Sequence, residues 1–110
     1  VLMRNSTGEQ SQFTFRDIAM DIDAHQVTKD GKEVILTQKE FGLLELLLRN
    51  KGKVCRRSRI MEKIWDIHFD KDTAVIDVFI NGLRKKLDTD GKESIIQTIR
   101  GVGYRINDNE

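Results

Sequence analysis

The sequence is short of the residues that cross-links, metal sites and membrane segments require. It has 110 residues with no proline, two histidines and one cysteine. The lone Cys55 excludes an internal disulfide and fits a reducing compartment. The longest apolar run, Leu43–Leu48, contains Glu45 and is far too short to span a membrane, so we expect no membrane partner. We find no metal-ligand cluster, nucleophile–base pair or phosphate loop, and therefore expect neither an enzyme nor a cofactor.

Charge is abundant, since 34% of the residues are charged and 38% are hydrophobic, which is typical of one globular domain. The formal net charge is only +1, but it is unevenly distributed. Residues 1–50 hold 6 basic and 8 acidic side chains, whereas residues 51–110 hold 13 and 10. The asymmetry indicates a nucleic-acid partner, although a solvated basic surface has the same composition. Because the chain begins with Val1, we expect it to be a fragment.

The first third of the chain has the pattern of short β-strands. Residues 1–12 are polar and predict a linker. Apolar residues nearly alternate from Phe13 to Ile22. Gln26–Lys29 and Glu33–Leu36 then flank Asp30-Gly31, which is a strong hairpin signal. We therefore predict a small antiparallel sheet of three or four strands.

Two helices are predicted next. Thr37 and Glu40 fit a capping box, and the helix is expected to end near Asn50, where Gly52 follows as a stop signal. Its leucines circle most of the axis, so we expect this helix to be buried on several sides. After an extended connection, a second helix is predicted over Arg57–Asp66.

The stretch TAVIDVFINGLRKKLD, residues 73–88, predicts a third helix with two different faces. Four apolar residues spaced at i, i+4, i+7 and i+11 form a stripe that we expect to be buried. These residues are Ile76, Ile80, Leu83 and Leu87. The opposite side is small and polar with basic flanks, which suits a close approach to a polyanion. It carries Ala74, Val78, Asn81, Gly82 and Lys85, flanked by Arg84 and Lys86.

A C-terminal β-hairpin is predicted by Ile95–Ile99 and Tyr104–Ile106, with Arg100 in a glycine-rich tip over residues 100–103 and a polar tail at 108–110. The order of elements over residues 13–107 predicts an α+β winged helix-turn-helix with an N-terminal antiparallel sheet, three helices and a hairpin wing. A helix of this width fits the major groove of DNA, where base edges are distinguishable. A basic side chain on the adjacent hairpin can reach the minor groove.

Four segments resemble the OmpR/PhoB family of response-regulator effector domains. They are LTQKEFGLLELLL, the basic stretch leading into IMEKIW, VIDVFINGLRKKL and IQTIRGVGYRI. Together they extend from about Phe15 to Ile106. The resemblance implies sequence-specific binding of double-stranded DNA and regulation of transcription within a two-component phosphorelay.

The resemblance also implies roles for particular positions. On the recognition helix, residues 73–88, the groove-facing positions are Ala74, Val75, Val78, Asn81 and Gly82, with Arg84 and Lys85 beside the DNA backbone. Thr98 and Arg100 match DNA-contacting positions of the wing, and Arg57 matches a phosphate-contacting position. Since Gly82 presents no side chain, we expect base readout to depend on Asn81, Val78 and the wing, with phosphate contacts and DNA shape supplying much of the affinity.

The implied partners are direct-repeat half-sites one helical turn apart, a second copy of the chain, and RNA polymerase. The loop that matches the polymerase contact consists of Asp66, Ile67, His68, Phe69, Asp70, Lys71 and Asp72. In the whole protein, an upstream receiver domain and a sensor histidine kinase are expected, at the nucleoid in the bacterial cytoplasm. The alternative is a winged-helix protein–protein interaction module that does not bind DNA. The basic set of Arg57, Arg84, Lys85 and Arg100 argues against that alternative.

Overall fold

The computed structural model describes residues 11–65, 74–89, 91 and 93–106. The chain forms two compact units, one ending at Ile35 and the other beginning at Leu36. The first contains a β-sheet and the second contains the helices and a second sheet. Over the described residues, no helix combines the length and the apolar character that crossing a membrane would need.

The first unit is a four-stranded antiparallel sheet in the order of the chain. Its strands are β1 (Gln12–Phe15), β2 (Ile18–Asp21), β3 (Gln26–Lys29) and β4 (Lys32–Val34). Asp30 and Gly31 join β3 to β4 with φ angles of 54° and 82°. Two consecutive positive φ angles match the right-handed twist of the flanking strands, so the hairpin signal is confirmed.

Two details go beyond the predicted pattern of this region. Residues 1–10 of the predicted linker lie outside the described residues, and its last residue, Gln12, already pairs with Asp21 in β1. The near-alternation from Phe13 to Ile22 is interrupted by a two-residue turn between β1 and β2, in which Arg16 has a φ of 56°. The alternation on each side is nevertheless correct. The buried residues of this unit are Phe13, Phe15, Ile18, Met20 and Val27.

The second unit begins with helix α1 (Gln38–Arg49), whose capping box is confirmed. The Glu40 amide donates to Thr37 Oγ1 at 3.2 Å, and the Thr37 amide donates to Glu40 Oε1 at 2.9 Å. Each bond satisfies a backbone donor that a helix start leaves without an intrahelical partner. α1 packs against the third helix and the C-terminal hairpin, which agrees with burial on several of its sides.

The second helix differs from the continuous helix predicted over Arg57–Asp66. It consists of an α-helical turn, α2 (Arg57–Ile60), followed by a π-helical segment at Met61–Trp65. Arg56 precedes it without a side-chain cap. The end of the π segment is held by two contacts. Lys39 Nζ donates to the Ile64 carbonyl at 3.3 Å, and the ring of Trp65 lies edge-on to Phe79 at 5.2 Å. Asp66 lies outside the described residues.

The third helix, α3 (Ala74–Leu87), confirms the predicted apolar stripe. Ile76, Ile80, Leu83 and Leu87 are at most 1% exposed. Full burial of such a side chain contributes roughly 1.5–3 kcal/mol, so the stripe anchors α3 in the second unit. Thr73 lies outside the described residues, and Asp88 follows the last helical residue, its amide bonded to the Arg84 carbonyl at 2.8 Å.

A three-stranded antiparallel sheet completes the second unit, in the order β5 (Cys55–Arg56), β7 (Gly103–Ile106), β6 (Ile96–Ile99). The hairpin of β6 and β7 is therefore attached to the start of α2 through β5. A Cβ atom at Gly103 would lie 2.0 Å from the Cys55 carbonyl oxygen. Glycine is required at this position because any larger residue would separate β7 from β5.

Candidate nucleic-acid interface

The outer face of α3 is open to solvent at two of the five positions assigned to the groove, and at Lys85 beside them. Val78 is 67% exposed, and both Asn81 and Lys85 are exposed. Val75 is half-buried. Ala74 begins the helix, but its side chain is outside what the structure describes. An exposed apolar side chain beside an amide and an ammonium group can contact a thymine methyl, a base edge and a phosphate respectively.

Gly82 lies on the flank of α3 that faces α1. It is half-buried, and a Cβ atom there would lie 2.8 Å from Glu40 Oε2. Glu40 is only 7% exposed, and its other carboxylate oxygen accepts a hydrogen bond from Lys86 Nζ at 2.7 Å. The glycine thus makes room for a carboxylate that joins the two helices, a role that the amphipathic pattern alone does not indicate.

Burial alone would raise the pKa of Glu40. The hydrogen bond and positive charge of Lys86, together with the hydrogen bonds to Thr37, outweigh that effect and hold the pKa below its ordinary value of 4.5. Glu40 is therefore ionised near neutral pH. Burial raises the pKa of the Cys55 thiol, against a smaller opposing effect of the Arg59 charge, so Cys55 stays protonated and behaves as a core residue.

The hairpin tip is exposed beside α3. Thr98, Arg100 and Gly101 are exposed, and Val102 is 39% exposed. Gly101 has a φ of 74°, and the Val102 amide closes the turn on the Ile99 carbonyl at 2.9 Å. The tight turn projects Arg100 from the end of a hydrogen-bonded hairpin, as the sequence predicts for a wing.

Arg84 reaches from α3 to the hairpin instead of into solvent. Its Nη2 donates to the Ile96 carbonyl at 2.8 Å and to the Thr98 hydroxyl at 2.9 Å. Its Nε is 3.2 Å from the Ser94 hydroxyl and 3.3 Å from the same Ile96 carbonyl. Its Nη1 donates to Asn81 Oδ1 at 3.4 Å. The guanidinium is thus surrounded by protein acceptors.

Arg57 belongs to a second network that joins α2, α3 and β7. Its Nη1 and Nη2 donate to the two carboxylate oxygens of Asp77 at 3.2 and 3.3 Å. Nη1 also donates to the Tyr104 hydroxyl at 3.0 Å, and this hydroxyl donates to Asp77. The Arg57 guanidinium lies 5.6 Å from the centre of the Tyr104 ring. Asp77 and Tyr104 were not predicted from the sequence as members of the site, although a lone acid on an otherwise basic helix was a usable signal.

Lys85 and Arg100 differ from these two arginines. Both are exposed, and neither has a hydrogen bond or an ion pair with another residue in the described part of the chain. Their charges are available to a phosphate without the loss of a hydrogen bond or ion pair to any residue that the structure describes.

The proposed polymerase-contact loop, Asp66–Asp72, lies wholly outside the described residues. Among the residues that the structure describes, no three histidine, cysteine or acidic side chains are grouped so that they could hold a metal ion.

The fold and the exposed surface define a class. α2 and α3 are the two helices of a helix-turn-helix, and β6 with β7 forms the wing beside α3. The molecule is a winged helix-turn-helix domain with an α+β architecture, as the sequence predicts.

Comparisons with known proteins identify the family. The family model described as "Transcriptional regulatory protein, C terminal" matches residues 31–106. The transcriptional regulatory protein CusR of Escherichia coli K12 is 46% identical over 97 residues, covering 88% of this chain and 43% of CusR. The chain belongs to this family, the C-terminal domains of response regulators of the OmpR/PhoB type. It spans less than half the length of the curated relatives that it matches.

Solved structures similar to this chain agree with the family assignment. The response regulator DrrB, an OmpR/PhoB homologue from Thermotoga maritima, superposes with a TM-score of 0.81 at 31% identity, over 92% of this chain and 46% of DrrB. The RstA DNA-binding domain of Klebsiella pneumoniae, solved in complex with the RstA box, has a TM-score of 0.79 at 27% identity. That match covers 89% of this chain and 98% of the RstA chain.

Proposed function

We propose that this domain binds double-stranded DNA sequence-specifically and regulates transcription, with α3 in the major groove and the residue 100–103 wing in the minor groove. The observation that carries the proposal is the outer face of α3, where Val78, Asn81 and Lys85 are exposed, together with the exposed Arg100 on the hairpin that Arg84 joins to α3. The buried stripe on the other side of α3 holds this face outward. Free cations beside small groove-reading side chains match the division of DNA recognition into backbone and base contacts.

Each exposed side chain has a specific part. Asn81 can bond an adenine edge, and Val78 can contact a thymine methyl. Lys85 neutralises a phosphate, and Arg100 enters the minor groove. Gly82 contributes no base contact, since it faces Glu40, so few direct contacts remain and DNA shape contributes to the choice of site.

Membership of the family supports a wider context for the proposal. The full-length protein carries an upstream receiver domain that a sensor histidine kinase phosphorylates, and it acts in the bacterial cytoplasm at the nucleoid. Two copies bind direct repeats one helical turn apart, and residues 66–72 contact RNA polymerase. An interaction module without DNA binding would not need unpaired cations around the helix face, so that alternative is not favoured.

Selection of bound duplexes from a random pool, followed by sequencing, tests the proposal. We expect two direct repeats spaced by one turn, with affinity that falls steeply as salt rises. Failure to retain any duplex at low salt would contradict DNA binding. Retention of unrelated sequences would contradict specificity and leave only backbone binding.

A further inference from the structure

We propose that Arg84 is a positioning residue that fastens the hairpin to α3, so that Arg100 and the outer face of α3 meet DNA in one register. This role replaces the phosphate contact that family resemblance implies for Arg84. The inference rests on the proposed function, because it concerns how the DNA-binding surface is assembled.

Arg84 already uses most of its N–H donors within the protein. A guanidinium has five N–H groups. The single Nε–H, both Nη2–H groups and one Nη1–H point at acceptors of the protein, which are four of the five. A bidentate grip on a phosphate needs two parallel N–H groups, so Arg84 would have to release the hairpin to make one.

The acceptors of the Arg84 Nη2 group lie on β6, the strand that leads to the hairpin tip. The Ile96 carbonyl lies at the start of β6, and the Thr98 hydroxyl lies two residues before Arg100. One rigid, planar group therefore holds the strand that leads to the tip. A lysine in the same place would present a flexible point charge and could not reach these acceptors in a fixed geometry.

Arg84 differs from Lys85, the next residue in the chain. Lys85 is exposed and unpaired within the described part of the chain, whereas Arg84 is half-buried. These adjacent cations offer a matched pair, because both change the net charge equally and only one holds the hairpin.

A double-mutant cycle with Arg100 tests the coupling. In the otherwise wild-type chain, Arg100→Ala should weaken binding to the selected duplex by about tenfold, within the range for a specific contact. In an Arg84→Met background, the same change should cost less than about threefold, because the tip is already displaced. In a Lys85→Met background it should again cost about tenfold. An additive cycle with Arg84→Met would overturn the proposal.

The salt dependence provides a second test with a milder variant. Arg84→Gln removes the charge but keeps an amide nitrogen where Nε donates, so the fold is spared. With Arg100→Ala already present, so that a displaced tip cannot change the slope, we expect the slope of log affinity against log salt to stay within about 0.3 of that parent chain for Arg84→Gln, and to fall in magnitude by about 0.9 for Lys85→Gln. A fall of about 0.9 for Arg84→Gln would identify a phosphate contact and overturn the proposal.

A measurement on the free chain separates failure of the inference from failure of DNA binding. If the wild-type chain binds no duplex, the proposed function fails, and amide hydrogen exchange still tests the fastening. Arg84→Met should then speed exchange in β6 and β7 by about tenfold or more, whereas Lys85→Met should not. Unchanged exchange in Arg84→Met would overturn the fastening role.

Discussion

The two sides of α3 that lie outside the core differ in whether their charged side chains are bonded to other parts of the protein. On the hairpin side, Arg84 and Asp77 are bonded to β6, to Tyr104 and to Arg57. On the outer side, Lys85 is exposed and Val78 and Asn81 project into solvent. In the sequence, the four cations Arg57, Arg84, Lys85 and Arg100 look alike. The structure separates the two arginines bonded to other elements, Arg57 and Arg84, from Lys85 and Arg100, which remain available to DNA.

The comparison teaches that basic residues near a DNA-binding helix are not equivalent. A charge already bonded to protein acceptors must lose those contacts before it can hold a phosphate, and that loss offsets the gain. A free surface lysine gives up only its hydration and counterions. The following predictions test this distinction, beginning with the largest expected effect.

The largest effect should come from the buried stripe that holds the outer face in place. Ile80→Ala should lower the free energy of unfolding by about 2–5 kcal/mol, because Ile80 is only 1% exposed and a cavity would remain. Val78→Ala, two residues away on the exposed face, should change it by less than about 0.5 kcal/mol. Urea unfolding of both variants checks this difference, and equal losses would contradict the assignment of faces.

The next effect concerns the free cations. Arg100→Ala should weaken DNA binding by about 1–3 kcal/mol and relax the preference at the base pairs beneath the wing. Lys85→Ala should weaken binding by about the same factor for every duplex, and should therefore leave the sequence preference unchanged. Repeating the duplex selection with each variant measures both quantities. A relaxed preference in Lys85→Ala would show that this lysine reads bases.

A smaller effect should appear at the α1 flank, where Glu40 joins the helices. Glu40→Gln should lower the free energy of unfolding by about 1–2 kcal/mol at neutral pH, less than the roughly 1.5–3 kcal/mol of a whole hydrogen bond to a charged group, because the amide keeps one acceptor oxygen. The folded-state pKa of Glu40 lies below 4.5, so the ionised group stabilises the fold above that pH, and this stability is lost as the pH falls through the folded pKa.

The difference between wild type and Glu40→Gln should therefore shrink below pH 4.5. Thermal unfolding from pH 7 to pH 3 measures it, with Glu45→Gln as a control, because the half-buried Glu45 pairs, among the described residues, only within α1, with Arg49. A difference that grows on acidification would mean that burial, and not the partners of Glu40, governs the pKa.

The smallest effect is expected at Gly82. An alanine inside a helix usually stabilises by roughly 1 kcal/mol relative to glycine. Gly82→Ala should gain less than that, because its Cβ would meet Glu40 Oε2 at 2.8 Å. In a Glu40→Ala background, the full gain should return. Unfolding measurements on the four chains of this cycle decide the matter, and an equal gain in both backgrounds would contradict the close contact.

Local patterns in the sequence predicted much of this fold. The spacing of Ile76, Ile80, Leu83 and Leu87 placed one face of α3, and Thr37 with Glu40 placed the start of α1. These features are decided by residues close in the chain. The π segment at Met61–Trp65 was missed, because its contacts come from Lys39 and Phe79, which are distant in sequence.

The site shows the same division. Helical periodicity correctly identified Val78, Asn81 and Lys85 as exposed, and the glycines at the tip identified the turn that carries Arg100. The partners of Gly82, Arg84 and Arg57 were not predictable, because an angle around a helix axis does not say which neighbouring element lies there. α1 lies beside Gly82, and the hairpin lies beside Arg84, so neither position faces free solvent as Val78 and Asn81 do.

The most direct test of DNA binding by α3 and the wing is a methylation-protection experiment on the selected duplex. Dimethyl sulfate modifies guanine N7 in the major groove and adenine N3 in the minor groove. We expect protection of guanine N7 where α3 covers the major groove and of adenine N3 beneath the wing, with Arg100→Ala removing only the minor-groove protection. Bound DNA without protection in either groove would contradict the account, because the chain would then hold only the backbone.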